Sequence, residues 1–339
     1  MESVFTLSAF NDTLNHRAAV FCVTLMCYCV IVFANVSVIL TIILNESLHE
    51  PMYVLICACC INGLYGTAGF YPKFLSDLLS SSQVISYTGC LCQAFVMYSF
   101  VCSDTSILTV MAYDRYLAIC RPLQYHSIMT KNRLSKLVFF SWLMPFCIFS
   151  INILLTTRLT FCGTNIERLF CVNWAIVKLA CPGMDTFINN AFAYTTLSIY
   201  IFHWFFIVWT YMYIVKSCVQ SKEDKVKFMQ TCLPHLISLI TFFVIVLSDL
   251  MHMRFASKDL PESFHNFVAI SVLFIPPLMN PLLYGFKFST IRKRILVLVY
   301  LGRKKLPPDV SVQSSTATVA FSSYLCLIPL HCLPNVSSN

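Results

Sequence analysis

Asp114 and Arg115 stand side by side in the stretch MAYDRYLAICRPLQYH, which spans residues 111–126 and follows a long run with almost no charge. A guanidinium carries a planar set of donors that suits carboxylates and phosphates. Two roles are therefore open for Arg115. Either it pairs with an acid in a resting state and is released to a partner, or it snorkels to lipid headgroups at a membrane interface.

Two further acids, Asp104 and Asp249, lie inside apolar runs, where a carboxylate is rare and costly. Asp104 precedes Arg115 by eleven residues, which is about three helical turns. Asp249 is followed by His252 and Arg254, so an acid, an imidazole and a guanidinium fall within two turns. Intramembrane charges of this kind indicate a functional site.

The sequence contains no constellation of catalytic residues. HEPMY at 49–53 is not H-E-x-x-H, no G-x-S-x-G or Walker sequence occurs, and the Cys-x-Cys pairs lack His partners at metal spacing. We therefore predict that the protein is not an enzyme and holds no metal. A transporter is the alternative from another class, because broken helices and buried acids mark substrate pathways there, but the two halves of the chain show no repeat.

The elements that must position these residues are membrane-spanning helices. The 339 residues are 58% hydrophobic and only 11% charged, against roughly 25% charged in soluble domains, and the mean hydropathy is +0.74. Seven segments are long and apolar enough to cross a hydrocarbon core of about 30 Å. They lie near 18–44, 53–79, 92–119, 137–157, 187–215, 232–253 and 264–286. The predicted fold is an all-α membrane protein, a seven-helix transmembrane bundle over 18–286.

The positive-inside rule predicts the orientation of this bundle. With the N-terminus outside and the C-terminus inside, 16 of the 23 Lys and Arg residues fall on the inner side. We therefore predict an extracellular segment at 1–17, an amphipathic basic juxtamembrane helix at 287–305 and a disordered cytoplasmic tail at 306–339. Asn11, in the sequence NDT, is the one N-x-S/T site that falls outside, so it is the predicted glycan acceptor.

Cysteines on the predicted outer side are candidates for disulfides, which form on the lumenal or extracellular face. Two lie at the start of the third span and three in the loop after the fourth: Cys90, Cys92, Cys162, Cys171 and Cys181. A bridge between the two groups would pin a lid over the bundle. Spacing alone leaves the pairing open.

Seven spans with D-R-Y at the inner end of the third resemble the rhodopsin-like G-protein-coupled receptors. Four motifs narrow the resemblance to odorant receptors: LHEPMY at 48–53, MAYDRYLAIC at 111–120, TCLPH at 231–235 and PPLMNPLLYG at 276–285. Each element is common alone, and all four in order are highly specific. The form INGLYGTAGFYPKFL of the second span is similar to receptors of bony fishes.

This resemblance implies a receptor that binds a small odorant among its helices and activates a heterotrimeric stimulatory G protein, which raises cyclic AMP. It also implies the plasma membrane of olfactory cilia. Arg115 would then hold the resting state and meet the G protein when released. The predicted switch residues are Asp114, Arg115, Tyr116, Tyr211, His235, Asn280, Pro281 and Tyr284.

The ligand pocket is expected between the third, fifth and sixth helices, beneath the lid loop. The predicted ligand-binding residues are Met97, Tyr98, Val101, Phe243, Leu247 and Arg254, with Phe187, Phe192, Phe202 and Leu250 as further candidates by position. Arg254, with Lys178 or Arg168 of the loop, is hypothesised to select a polar or anionic odorant. The alternative is an arginine paired with Asp249 or facing solvent.

Two bridges, Cys90–Cys171 and Cys162–Cys181, are predicted for a receptor of this kind. An inner polar cluster of Asn35, Asn62 and Asp104 is expected as well, where the wider family binds a sodium ion. The usual acid of the second helix is Gly63 here, so the donor set is thin. A sodium ion and a hydrogen-bonded, protonated Asp104 both stay open.

Overall fold

The computed structural model describes residues 4–7, 17–80, 82–220, 232–255 and 262–287. At 218–220, 234, 252–255, 262–263, 265 and 284–287 it describes only the backbone. The predicted glycan acceptor Asn11, the basic run after 287 and the tail at 306–339 therefore lie outside the described residues.

Seven long helices form the bundle, so the predicted fold is confirmed. They are α1 (Arg17–Ile43), α2 (Pro51–Leu79), α3 (Tyr87–Cys120), α4 (Lys131–Thr157), α5 (Phe187–Gln220), α6 (Leu233–Phe255) and α7 (Glu262–Lys287). Six contain a stretch long and apolar enough to cross a membrane, and α6 contributes a shorter apolar stretch, His235–Met251. Short helices at Tyr125–Ile128 and Asn173–Val177 lie between the long ones.

Local chemistry explains where several helices begin. The Ser86 hydroxyl accepts a hydrogen bond from the Gly89 amide at 3.2 Å before α3. The Thr130 hydroxyl does the same for the Arg133 amide at 3.3 Å before α4. Such N-caps satisfy amides that have no partner within the helix. Pro51 occupies the first position of α2, where its missing amide costs nothing.

The glycines of α2 let it pack closely on α3, although they weaken its helical pattern in the sequence. A Cβ added at Gly66 would stand 2.5 Å from the ring of Phe100 in α3. That ring is almost fully buried, at 1% exposure, so it has no free space to move into. Close backbone approach therefore accounts for Gly66 better than flexibility does.

We expect Gly66→Ala to lower the free energy of unfolding by about 1–3 kcal/mol, the usual cost of overpacking a core. Gly63→Ala in the same helix is the comparison and is expected to lose less, because its added Cβ would meet Pro277 at 3.3 Å, a tight contact that a shift of a few tenths of an ångström relieves. Thermal unfolding of the detergent-purified protein measures both. Equal unfolding temperatures for the two variants would contradict the prediction.

The α3 helix lies at the centre of the bundle, in contact with α2, α4 and α5. Its inward side chains join two apolar cores, one toward each end of the bundle. The outside of the bundle is apolar too, with exposed side chains such as Phe33, Phe139, Phe202 and Trp209. An apolar exterior around satisfied helices suits hydrocarbon rather than water.

One end of the bundle, which we call the disulfide end, is closed by the loop 158–186, called the lid below. The Cys90–Cys171 bridge ties the start of α3 to the lid, and Cys162–Cys181 closes a loop within it. Gln93 of α3 accepts a hydrogen bond from the Cys171 amide at 2.9 Å. The opposite end carries Arg115 and is called the Arg115 end.

A three-stranded sheet also covers the disulfide end, and the sequence pattern does not predict it. Its strands are β1 (Val4–Leu7), β2 (Val84–Ser86) and β3 (Asn165–Ile166), in the order β2-β1-β3. The β1–β2 pair is antiparallel and the β1–β3 pair is parallel. Phe5 and Leu7 of β1 point into the core, at 1% and 2% exposure.

Candidate functional site

A cavity of about 340 Å³ lies beneath the lid among α3, α4, α5 and α6. Of the predicted ligand-binding residues, Tyr98, Val101, Phe243 and Leu247 line it, as does Leu250. Met97 lines a smaller adjoining void of about 50 Å³ together with Tyr98 and Val101. The helix arrangement thus brings these side chains to one site.

Three aromatic candidates do not reach this cavity. Phe187 and Phe202 are 75% and 70% exposed, on the outside of the bundle. Phe192 is half-buried and is not among the residues that line the cavity. All three belong to α5, where aromatic residues also face outward, so residue type did not distinguish the two faces.

An aromatic group from α5 and α6 forms part of the cavity wall. Trp204 of α5 lies against Phe243 of α6, with ring centroids 4.6 Å apart. It also stacks on the buried Phe242 at 6.2 Å. A ligand that contacts Phe243 therefore contacts a side chain that links α5 to α6.

The lid reaches α6 through an ion pair beside the cavity. Arg168 of the lid donates to Asp249 of α6, with 2.5 Å between Nη2 and Oδ1. Both side chains are mostly buried, at 16% and 14% exposure, and Asp249 lines the cavity. Arg254 belongs to α6, but its side chain lies outside the described residues. Asp249, which lies close to Arg254 in the sequence, is thus paired with Arg168 of the lid.

We expect Arg168 and Asp249 to be energetically coupled by about 2 kcal/mol, the range for charge-assisted hydrogen bonds. Arg168→Gln, Asp249→Asn and the double variant form a double-mutant cycle, measured by thermal unfolding. The exchanged pair, Arg168→Asp with Asp249→Arg, is expected to recover part of the loss. Additive losses in the cycle would show that the two charges do not stabilise the lid together.

Buried asparagines form a second polar feature of the cavity, and no pattern in the sequence predicts it. Asn173 of the lid donates to Asn152 of α4, and the Thr156 hydroxyl donates to Asn173 Oδ1 at 2.8 Å. Asn189 of α5 donates through Nδ2 to Thr156 Oγ1 at 3.5 Å. Asn152, Asn173 and Asn189 all line the cavity. Their positions 152, 173 and 189 are too far apart for any short motif.

At the Arg115 end, the acid and base of D-R-Y contact each other. Arg115 donates through Nε to Asp114 Oδ2 at 2.9 Å and also through Nη2. Asp114 is fully buried, and its other oxygen accepts from the Tyr125 hydroxyl at 2.8 Å. Burial and the Asp114 carboxylate raise the pKa of Tyr125, so its hydroxyl keeps the proton that it donates. Arg115 is thereby held away from other partners.

A second contact at this end joins α5 to α6. The Tyr211 hydroxyl and His235 Nδ1 are 2.5 Å apart, and both side chains are buried. Tyr116 does not join the polar contacts but packs on the rings of Trp209 and Tyr213 in α5. The helix α5 is therefore held both to α3 and to α6 near Arg115.

The predicted switch residues of α7 lie in one unbroken helix. Asn280 Oδ1 accepts from the Ser238 hydroxyl of α6 at 2.7 Å. Pro281 follows within α7, which continues to Lys287. Tyr284 belongs to the same helix, but its side chain lies outside the described residues. The described contacts thus connect α7 to α6 through Asn280.

The inner polar cluster is divided between two helix pairs. Asn62 of α2 donates to Asp104 Oδ1 at 3.1 Å, whereas Asn35 of α1 donates to the Pro277 carbonyl of α7 at 2.8 Å. Asp104 Oδ2 and Asn62 Oδ1 are buried without a hydrogen-bond partner among the described residues. Oxygen atoms of this type suit either a hard cation or, at Asp104, a bound proton. Both alternatives fit the residues present.

Comparison with known proteins assigns the chain to a family. Residues 21–301 match the olfactory receptor family. Human olfactory receptor 52D1 is 30% identical over 282 residues, which cover 82% of this chain and 88% of the relative. Human olfactory receptor 6N1 is 31% identical over 295 residues, covering 86% and 93%, and chimpanzee (Pan troglodytes) olfactory receptor 1D2 is 31% identical over 291 residues, covering 84% and 91%.

These relatives and the seven apolar helices place the chain in one class. Receptors of this class are multi-pass plasma-membrane proteins that signal through G proteins and have no enzymatic activity. The chain belongs to the olfactory receptor family of chemosensory G-protein-coupled receptors.

Proposed function

We propose that this protein is an odorant receptor that binds a small odorant in the 340 Å³ cavity and activates a stimulatory, olfactory-type G protein, which raises cyclic AMP. One observation carries the proposal. The cavity and the Asp114–Arg115 pair lie at opposite ends of the bundle. The helices α3, α5 and α6 line the cavity, and the same three helices carry the contacts around Arg115 at the other end. A change at one end therefore has a direct mechanical path to the other.

The path runs along α6. Phe243 lines the cavity, and His235 lies eight residues earlier in the same helix, about two turns toward the Arg115 end. A ligand that displaces Phe243 from Trp204 moves α6 relative to α5 and breaks the Tyr211–His235 contact. Interfaces of packed helices have two discrete arrangements, so a small shift is amplified. Arg115 then leaves Asp114 and binds the G protein.

In this proposal the disulfide end faces the outside and the Arg115 end faces the cytosol. Two bridges at one end suit an oxidising compartment. The lysines and arginines at 131–136 and 292–305 suit the cytosolic side. A glycan at Asn11 follows from the same orientation, and delivery to the cilia of olfactory neurons is expected from the family.

A cyclic AMP assay in cells that express the receptor with a stimulatory G protein tests this function. The ligands are a panel of neutral volatiles, amino acids, organic acids, bile acids and nucleotides. A concentration-dependent rise in cyclic AMP, absent from cells without the receptor, supports the proposal. A response only to non-volatile solutes would favour another chemosensory role, and ligand uptake without cyclic AMP would favour a transporter.

A further inference from the structure

The asparagine network described above contains one hydrogen-bonding atom that the protein leaves unused. Asn189 is 5% exposed and lines the cavity, yet its Oδ1 has no hydrogen-bond partner among the described residues. A buried acceptor without a donor is unfavourable, because it has given up its hydrogen bond to water. An unpaired acceptor that lines a cavity is positioned to accept from a ligand bound there.

The network also fixes which atom of Asn189 is left over. The Thr156 hydroxyl has a single proton, and it donates to Asn173 Oδ1 or to the Asn152 carbonyl. Thr156 Oγ1 can therefore only accept from Asn189, so the amide nitrogen must face it. The oxygen of Asn189 is thus the acceptor that remains, and it requires a donor from the ligand.

The charges around the cavity favour an uncharged ligand. Asp249 lines the cavity, but its charge is already compensated by Arg168, so this pair leaves no net charge to attract an ionic ligand. A carboxylate ligand carries only acceptors and would not satisfy Asn189 Oδ1. An ammonium ligand would lack a free counter-charge among the described lining residues.

We propose that Asn189, oriented by Thr156, is a hydroxyl-selective subsite of the cavity, and that the odorant is a small apolar alcohol or phenol. This inference rests on the proposed function. The ligand's O–H donates to Asn189 Oδ1, and its hydrocarbon part packs on walls such as Val101, Phe243 and Leu247. The cavity corresponds to about eleven waters at their share of liquid volume, which suits a ligand of about ten non-hydrogen atoms.

The test pairs each alcohol with its isomeric ether, which has the same atoms but no donor; 1-heptanol with 1-methoxyhexane is one pair, and heptanoate represents the anions. Binding is measured as the thermal shift of the purified receptor, and activation as cyclic AMP. For the wild type we expect each alcohol to act at about tenfold lower concentration than its ether, as for one net hydrogen bond.

Two variants examine the subsite itself. Asn189→Leu removes the acceptor and is expected to abolish the preference for alcohol over ether. Thr156→Val removes the acceptor that orients Asn189, so the amide can turn and present its N–H group to the cavity. An ether oxygen can accept from that group, so we expect the potency difference between alcohol and ether to shrink while both still bind. Ser198→Ala is the control, because Ser198 is exposed on the same helix and its hydroxyl donates, among the described residues, only to the Tyr194 carbonyl one turn earlier.

Each outcome decides the inference. Alcohol preference in the wild type and Ser198→Ala, lost in Asn189→Leu, supports it. Equal potency of alcohol and ether in the wild type, a preference that survives Asn189→Leu, a preference for heptanoate, or no binding by any alcohol overturns it and leaves the receptor function standing. Selective binding of alcohols without cyclic AMP supports the subsite and overturns the proposed coupling instead.

Discussion

Replacing Arg115 by alanine is expected to weaken ligand-driven cyclic AMP signalling roughly ten- to hundredfold while the receptor still folds and still binds ligand. Arg115 is the only charged partner of the buried Asp114 among the described contacts, and in the proposed active state its guanidinium meets the G protein. Loss of one charge-assisted contact of this kind corresponds to roughly a ten- to hundredfold weaker coupling. The measurements are cyclic AMP, surface display by antibody labelling and the thermal shift with bound ligand.

The control for this variant is Arg121→Ala. Arg121 lies six residues further on, is exposed and ends the same helix, so its removal changes the local charge without touching Asp114. Arg115→Lys is informative as well, because it keeps the charge but loses the planar fork. A normal cyclic AMP response from Arg115→Ala at equal surface display would exclude the switch.

Removal of the Cys90–Cys171 bridge is expected to have the largest effect on stability. The bridge closes a separation of 81 residues, and the chain-entropy relation gives a stabilisation of about 4.5 kcal/mol for a loop of this size. Both cysteines are fully buried, and Cys171 carries the lid that covers the cavity. We therefore expect Cys90→Ala and Cys171→Ala each to lose most of the surface-displayed receptor and all ligand response.

Two comparisons separate the bridge from a general effect of cysteine removal. Cys147→Ala removes an exposed free cysteine of α4 and is expected to behave like the wild type. Cys162→Ala opens a separation of only 19 residues, for which the same relation gives about 3 kcal/mol. Unfolding temperatures in the order Cys147→Ala, Cys162→Ala, Cys90→Ala are expected. A Cys90→Ala protein as stable as Cys147→Ala would contradict this account.

The helices were predictable because a segment that crosses a membrane must pair its backbone polar groups within a helix and carry mostly apolar side chains over about 20 residues. Each helix therefore appears in the sequence as a long apolar run. The predicted ends agree with the structure within a few residues on most helices. The largest difference lies at the start of α4, which begins at Lys131 rather than near 137. The charged residues at 131–136 are helical but polar, so an apolar pattern could not include them.

The residues of the site were predictable only in part. The places of Tyr98 and Val101 in the cavity wall were predictable, because the motif around Arg115 identifies α3 and so shows how far each residue lies from the Arg115 end. The pairing of Arg168 with Asp249 and the asparagine network were not predictable, because the path of the lid decides them and no periodic pattern describes a lid. The faces of α5 were not resolved either, since its aromatic residues occur on both sides of the helix.

The strand β1 has a consequence for the order of events during synthesis. Residues 4–7 are made before every helix of the bundle, yet Thr6 donates to the backbone of Thr164, 158 residues later in the chain. Its other neighbour, β2, precedes α3. The N-terminal segment must therefore wait until four helices have been inserted before it can be placed. The docking of β1 therefore follows synthesis of the fourth helix and the first part of the lid.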